Sequence, residues 1–345
     1  MGSDFWTPRC ELPLDLVRPS RIDPTGLTGP TRGQTQRARW RATSTGWYVP
    51  AEVNPGRVEQ HILEQAMRVG SRGAVNGWAS LRWHGAAYFD GSADAIGTLL
   101  PVPLLKHSGS RTLRDGRATI ERRALPPYDR EFHRGIWCTT VPRAVFDEVR
   151  RAARLRPAVA AISMTLAAGL TSLPELAAYT DQRVAWEGVP LFRDALALSN
   201  ECFRSGPEVY LYLRWVLDAG LPAPSVNAPV FDRRGRLLGF PDVLDVEAGV
   251  VGEYDGADHR SRDRHRRDVA REERYRRHGL EYFTVVAGDL ADESLVVSRI
   301  HATRRRARFL APADRPWTLT PPPGWMAPPG VPKRYFAADD TVSTD

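Results

Sequence analysis

The stretch 239–260, GFPDVLDVEAGVVGEYDGADHR, constrains the fold of this chain more than any other segment. Two apolar runs, one at Val243 and one at Val250, are separated by Glu247-Ala248-Gly249, which has the composition of a tight turn. This pattern predicts a β-hairpin whose apolar side chains are buried in a sheet. The same 22 residues carry six carboxylates. These acids are either exposed to water at the surface or part of a functional site.

The spacing of these carboxylates predicts that several of them converge. Alternate residues of a strand point to one face, so Glu253 and Asp255 share a face and Tyr254 takes the other. Asp242 opens the preceding strand and returns beside Glu253, while Glu208, early on a preceding helix, offers a further oxygen donor. Such hard donors suit Mg²⁺, or Mn²⁺, and buried unpaired carboxylates are costly without a cation. Acids that are simply solvated at the surface are the alternative.

The flanking residues predict a complete α/β unit over 201–310. Pro207 fits the first turn of a helix, and Gly220 fits its end. The predicted elements are, in order, a helix from Gly206 to Gly220, a three-stranded meander over 221–255, a helix over 263–278, a strand over 280–290 and a helix over 291–308.

The order of these residues resembles the PD-(D/E)xK nuclease superfamily. The matching segments are Gly206-Pro207-Glu208, Pro241-Asp242 and Glu253-Tyr254-Asp255-Gly256 with His259-Arg260. The E-x-D-G-x-x-H run is similar to that of an uncharacterised family related to the very-short-patch-repair (Vsr-like) endonucleases. The resemblance implies a restriction-endonuclease-like core, in which helices flank a mixed sheet, and Mg²⁺-dependent hydrolysis of DNA. It also implies metal ligation by Asp242 and Glu253, with Glu208 supporting.

One position departs from this pattern, because Asp255 stands where the superfamily motif has lysine. Of the 48 basic residues only Lys106 and Lys333 are lysines, and both lie outside the predicted unit. His259 could relay a proton near neutral pH, whereas Arg260 could act only as a fixed charge. The candidate catalytic residues are Glu208, Asp242, Glu253, Asp255, His259 and Arg260. A site that keeps its shape without activity remains the alternative.

Residues 31–95 predict a small DNA-binding region that begins with a basic hairpin. Arg37, Arg39 and Arg41 alternate with small or aromatic residues and lead into an aromatic strand. We expect Trp40 and the three arginines to contact DNA phosphates.

Two helices follow this hairpin, one from an N-cap at Asn54 to Gly70 and a shorter one from Trp78 to His84. Together with the hairpin they fit a winged-helix module, and an ordinary α/β subdomain is the alternative. The segments RGQTQRARWRATSTGWYVP, VNGWASLRWHGAAYFDG and TTVPRAVFDEVRRA resemble the N-terminal part of type IV abortive-infection antitoxins (the AbiEi group). That resemblance implies a DNA-binding regulator with a cognate toxin protein as its partner.

The remaining segments have less specific patterns. Residues 1–30 predict an irregular lead-in, 96–200 a small α/β segment followed by a helical connector, and 311–345 a proline-rich, partly disordered tail. The first 20 residues contain acids and prolines where a signal peptide would be apolar, so we expect a cytoplasmic protein without a membrane partner. No glycine-rich nucleotide-binding motif occurs, and we expect no organic cofactor.

The charge balance favours DNA as the partner. The formal net charge is +7 and the pI is near 9.6. Arg264, Arg267, Arg271 and Arg274 lie on the predicted helix beside the carboxylates, where they could contact phosphates. Alternatively, this helix is solvated and held by ion pairs along its own surface. The sequence thus supports a metal-dependent DNA endonuclease first, and an antitoxin-like regulator with an inactive nuclease-like domain second.

Overall fold

The computed structural model describes residues 7–93, 97–106, 115–256 and 262–327, without the side chains of 262–265 and 267. The chain divides into two compact units, Thr7–Ser199 and 200–327. Both units combine helices with strands, which confirms the α/β class. Within the described ranges, no helix has both the length and the apolar composition needed to cross a bilayer.

The first unit contains a hairpin and a five-stranded mixed sheet. Strands β1 (Trp40–Ser44) and β2 (Trp47–Pro50) form the antiparallel hairpin, and Gly46 turns between them with φ 74°. The larger sheet consists of β3 (Gly73–Val75), β4 (Val102–Lys106), β5 (Ala118–Arg122), β6 (Arg130–His133) and β7 (Ile136–Thr139). Their order is β5-β4-β3-β7-β6, with parallel pairs at β4–β5 and β3–β7.

The helices of this unit are α1 (Arg32–Thr35), α2 (Val58–Ala66), α3 (Gly77–Trp83), α4 (Val141–Ala152), α5 (Leu155–Ala167), α6 (Leu173–Asp181) and α7 (Val189–Ala197). The predicted helix start at Asn54 is wrong. The Asn54 side chain instead accepts a hydrogen bond from the Gly56 amide at 2.9 Å, which makes a local turn, and the helix begins at Val58. The shorter predicted helix, by contrast, matches α3 closely.

The second unit contains α8 (Gly206–Leu213), which continues as one π-helical turn over Arg214–Asp218. The other elements are β8 (Ser225–Val226), β9 (Val230–Asp232), β10 (Leu237–Gly239), β11 (Val243–Asp245), β12 (Val250–Asp255), α9 (Arg262–Arg277), β13 (Glu281–Val286), α10 (Glu293–Arg306) and β14 (Trp317–Thr318). Helix α8 packs on β11 and β12, α9 on β10 and β13, and α10 on β12 and β13.

The strands of this unit form two sheets, so the single predicted meander is wrong. The four-stranded sheet has the order β13-β12-β11-β8, with β12 parallel to β13 and the other neighbours antiparallel. Strands β9 and β10 instead join β14 in a separate three-stranded sheet. Pro241 has no amide hydrogen for a ladder, which explains why the chain leaves one sheet before β11 enters the other.

The hydrophobic core of the second unit includes residues beyond the predicted boundary at 310. Its buried cluster comprises Val230, Leu238, Leu244, Val251, Tyr275, Leu280, Tyr282 and Trp317. Trp317 is 3% exposed and belongs to β14. The segment directly after 310 therefore packs into this unit, although its proline content predicted a tail.

Candidate active site

Glu208 is fixed at the start of α8. Ser205 caps the helix: its hydroxyl accepts a hydrogen bond from the Glu208 amide at 3.4 Å and donates one to Glu208 Oε1 at 2.9 Å. Glu208 Oε2 accepts hydrogen bonds from the Arg204 amide at 2.9 Å and from Asn227 Nδ2 at 2.7 Å. Since Glu208 is 7% exposed, these donors hold a buried carboxylate in one position.

Asn227 connects Glu208 to the segment that leads into β11. Its side-chain NH₂ also donates to the Cys202 carbonyl at 3.0 Å, and its amide donates to the Pro241 carbonyl at 3.0 Å. The residue is fully buried with φ 50°, a left-handed conformation that asparagine tolerates better than most residues. Its Oδ1 is buried and has no hydrogen-bond partner among the described residues. Sequence reasoning missed Asn227, although Asn-Ala-Pro is a turn signal.

Asp242 reaches the site directly before β11. Its Oδ2 accepts a hydrogen bond from the Tyr254 amide at 2.7 Å, which joins it to β12. Burial raises the pKa of Asp242 well above its ordinary value, and the charges of Glu208 and Glu253 raise it further. The structure thus brings Glu208, Asp242 and Glu253 close enough to repel one another.

Glu253 lies on β12 and is 5% exposed. Its Oε2 forms an ion pair with Arg271 Nη2 at 2.6 Å, while its Oε1 is buried without a hydrogen-bond partner among the described residues. Burial raises the pKa of Glu253 to about 7, although the Arg271 charge opposes the shift. A carboxyl group with this pKa is half ionised near neutral pH.

Helix α9 supplies two further groups that sequence reasoning did not place here. Arg271, predicted only as a DNA contact, pairs with Glu253 and with Asp268 Oδ1 at 3.1 Å. Burial alone would lower the pKa of Arg271, but the Glu253 charge raises it, so the guanidinium stays charged. Tyr275, one turn further, is fully buried, and its hydroxyl has no hydrogen-bond partner in the described part of the chain. The Gly239 backbone lies against this hydroxyl so closely that a Cβ at 239 would collide with it.

Asp255, which stands at the motif's lysine position, ends β12 and is half-buried. It lies two residues after Glu253 and therefore on the same face of the strand. The other predicted catalytic residues, His259 and Arg260, lie outside the described residues.

The arginines predicted to contact DNA from α9 have different positions. Arg274 is exposed, whereas Arg271 is turned toward the carboxylates. The side chains of Arg264 and Arg267 lie outside the described residues.

Arg37 and Arg39 were predicted on the basic hairpin, but β1 begins at Trp40, so both lie in the turn before this strand, where they are exposed. Trp40 itself is half-buried. Arg41 is engaged within the fold, because its guanidinium pairs with the buried Glu64 carboxylate at 2.7 Å. The pair connects β1 to α2. Arg37 and Arg39 are therefore more available to a polyanion than Arg41.

The donor chemistry of the carboxylate site fits a hard divalent cation. Glu253 Oε1 and Asn227 Oδ1 are buried oxygen atoms without partners in the described structure, and oxygen is the ligand type that Mg²⁺ prefers. Across the described ranges, however, no group of three His, Cys, Asp or Glu side chains is arranged to hold a metal ion. The oxygen donors therefore lie in the same region of the fold, but in this conformation they are not arranged to coordinate one metal ion.

Comparisons with protein-family models, with curated proteins and with solved structures gave no match. The family resemblances therefore depend on the motifs alone.

Proposed function

We propose that residues 200–327 form the catalytic core of a Mg²⁺-dependent DNA endonuclease of the PD-(D/E)xK type. The observation that carries this proposal is that Glu208, Asp242 and Glu253 come together from three separate segments. Asn227 bonds both to Glu208 and to the backbone directly before Asp242, and the amide that follows Glu253 bonds to the Asp242 carboxylate. Acids that are buried together raise one another's pKa and destabilise a fold unless a cation satisfies them. Such a cluster therefore favours a function over a stabilising role.

The elements around the carboxylates support a restriction-endonuclease-like core. A mixed sheet with the order β13-β12-β11-β8 is flanked by α8, α9 and α10. Along the chain the unit begins with a helix, continues with antiparallel strands, and places a second helix before the parallel strand β13. This is the kind of core that the sequence resemblance implies.

Asp242 and Glu253 would hold the ion, with Glu208 as a supporting donor and Asp255 on the same strand face. When bound, Mg²⁺ or Mn²⁺ supplies an activated water and neutralises charge on the phosphate. The chain itself contributes orientation. The helix cap fixes Glu208, and the Tyr254 amide fixes Asp242.

The fixed positive charge of this site comes from arginine, because Asp255 occupies the position of the motif's lysine. Arg271 forms an ion pair with Glu253, and the charge of Arg204 also opposes the rise that burial causes in the pKa values of Glu208 and Glu253. His259 and Arg260 complete the proposed catalytic set, with His259 as the group able to move a proton near neutral pH.

The proposed substrate is DNA, encountered in the cytoplasm. The net charge of +7 favours a polyanion, and Arg274 is exposed on the helix that also carries Arg271. Residues 31–95 would act as a winged-helix-like DNA-binding region, with Arg37 and Arg39 on phosphates. Phosphate contacts of this kind position a duplex without reading its sequence.

A second candidate is an AbiEi-like antitoxin or transcriptional regulator whose nuclease-like domain is inactive. The ion pair between Arg271 and Glu253 favours it, because a guanidinium already neutralises one of the proposed metal ligands. In that case the second unit would only dock DNA or a cognate toxin protein.

A cleavage assay tests the first candidate. The full chain, with Asp242→Asn and Glu247→Gln beside it, is incubated with supercoiled plasmid and with mismatched duplexes in Mg²⁺, Mn²⁺ or chelator. Asp242→Asn removes the charge but keeps an oxygen for the Tyr254 amide, whereas Glu247→Gln removes an exposed acid from the same hairpin. We expect metal-dependent nicking that Asp242→Asn slows by at least about a hundredfold and Glu247→Gln leaves unchanged.

A binding assay separates the two candidates. If no protein nicks DNA, and wild type and Asp242→Asn bind duplex equally well with strong salt dependence, the endonuclease proposal fails for these substrates and the regulator remains. Replacing Arg37 and Arg39 together with glutamine should then weaken binding and reduce its salt slope by up to about two.

A further inference from the structure

We propose that Arg271 is the resident counter-cation of the metal-free site, and that a divalent ion must displace it from Glu253 toward Asp268 on the same helix. This inference depends on the proposed function, because it concerns how the same carboxylate site is loaded. It assigns Arg271 a positioning and regulatory role that the sequence pattern did not indicate.

The first observation is the contact itself. Arg271 Nη2 lies 2.6 Å from Glu253 Oε2, and Glu253 is 5% exposed. A guanidinium at this distance neutralises the carboxylate and occupies one of its two oxygen atoms. Only Oε1 remains without a partner among the described residues.

The second observation is that Arg271 has a second ion-pair partner, Asp268. Its side chain is 35% exposed, and the same Nη2 already lies 3.1 Å from Asp268 Oδ1. Asp268 is three residues earlier on α9, and its side chain is 37% exposed. The guanidinium can therefore leave Glu253 for a solvent-facing partner on its own helix without losing a counter-charge.

The third observation concerns what surrounds the pair. The Arg271 Nε, the Tyr275 hydroxyl and Glu253 Oε1 are all buried and lack hydrogen-bond partners in the described structure. Buried polar groups of this kind are ordinarily satisfied, so the Arg271–Glu253 pair leaves polar atoms of this site without the partners they would normally have.

These observations imply competition, because a divalent ion and a guanidinium repel each other and use the same carboxylate. Binding of one lowers the affinity for the other, and this coupling is reciprocal. Removing the guanidinium should therefore tighten metal binding. A purely structural salt bridge predicts the reverse, since its loss would loosen the site and weaken metal binding.

The test measures Mn²⁺ binding by titration calorimetry on the full chain, in wild type, Arg271→Gln and Arg274→Gln. Arg274→Gln is the matched control, because it removes the same charge from an exposed position on the same helix. We expect Arg271→Gln to bind Mn²⁺ at least tenfold more tightly than wild type, and Arg274→Gln to stay within twofold. In chelator Arg271→Gln should melt below wild type, and saturating Mn²⁺ should raise its melting temperature more than that of wild type.

Equal or weaker Mn²⁺ binding by folded Arg271→Gln would overturn the inference. Should that variant not fold, Arg271→Met provides the same test, because methionine removes the charge and keeps much of the apolar length of the side chain. Arg271→Met should bind Mn²⁺ more tightly than wild type, and unchanged or weaker binding would overturn the inference as well.

The result also separates this inference from the proposed function. If wild type binds Mn²⁺ and Asp242→Asn abolishes nicking while Arg271→Gln binds Mn²⁺ like wild type, the counter-cation role alone fails. If neither wild type nor Arg271→Gln binds Mn²⁺, both the inference and the endonuclease proposal fail.

Discussion

Glu253 should make the metal-free protein less stable as the pH rises through neutrality. Its pKa is about 7 in the fold against an ordinary value of 4.5, because burial disfavours the carboxylate. Below pH 4.5 the group is protonated in both folded and unfolded chains. Between these two values only the unfolded chain releases the proton, so the free energy of unfolding falls, and above pH 7 the loss is complete. The difference corresponds to about 3 kcal/mol, most of it between pH 5 and pH 8.

The measurement is urea unfolding of wild type and Glu253→Gln in chelator from pH 5 to pH 8. Glutamine also leaves Arg271 without its counter-charge, but that cost does not change with pH because the guanidinium stays charged. The pH-dependent part of the difference between the proteins therefore reports the ionisation of Glu253 together with its effect on the pKa of the neighbouring Asp242. We expect Glu253→Gln to gain roughly 2 to 3 kcal/mol relative to wild type over this range. A difference that stays flat from pH 5 to pH 8 would refute the argument.

Three other substitutions test the packing that supports the two units, each by urea unfolding. Gly252→Ala should cost about 1 to 3 kcal/mol, because a Cβ there would collide with the Phe283 ring, and an unchanged stability would contradict this contact. Arg143→Met should cost about 1 to 3 kcal/mol, since it removes a buried cation shared by Asp129 and Asp147, which keep Arg183 and Arg150 as partners. Arg193→Met, at an exposed ion pair, should cost less than about 1 kcal/mol. Trp317→Ala should lower the free energy of unfolding by about 3 to 5 kcal/mol, because Trp317 is buried. An unchanged free energy of unfolding would show that this segment does not belong to the core.

Local patterns predicted the elements that carry the site. Pro207 and Gly206 signalled the start of α8, and Glu247-Ala248-Gly249 signalled the turn between β11 and β12, where Gly249 has φ 76°. The apolar run after Gly279 predicted β13, and the arginine-rich segment before it predicted α9. These features depend on neighbours close in sequence, which is why propensity and periodicity could find them.

The pairing of the strands and the extent of the second unit could not be predicted from local patterns. Sequence alternation predicted one meander, but the structure divides the strands between two sheets, because pairing partners such as β14 lie far along the chain. The sequence predicted that Trp317 belongs to a proline-rich tail, and only its burial against the core assigns it to the second unit. The prediction that a helix begins at Asn54 was wrong because of a local interaction. The Asn54 side chain accepts a hydrogen bond from the Gly56 amide in a turn, and the helix begins only after that turn.

The sequence by itself determined which chemistry this chain carries: acids at alternating strand positions, an arginine-rich helix beside them, and no lysine in the motif. Only the tertiary structure decided how those groups are used. It placed Asn227 against Glu208, set the Tyr275 hydroxyl beside the carboxylates without a partner in the described structure, and paired Arg271 with Glu253. The physical reason is that spacing along a strand or helix fixes only the direction of a side chain. Its ion-pair partner, and the extent to which the pair is buried from water, depend on elements distant in sequence that pack against one another.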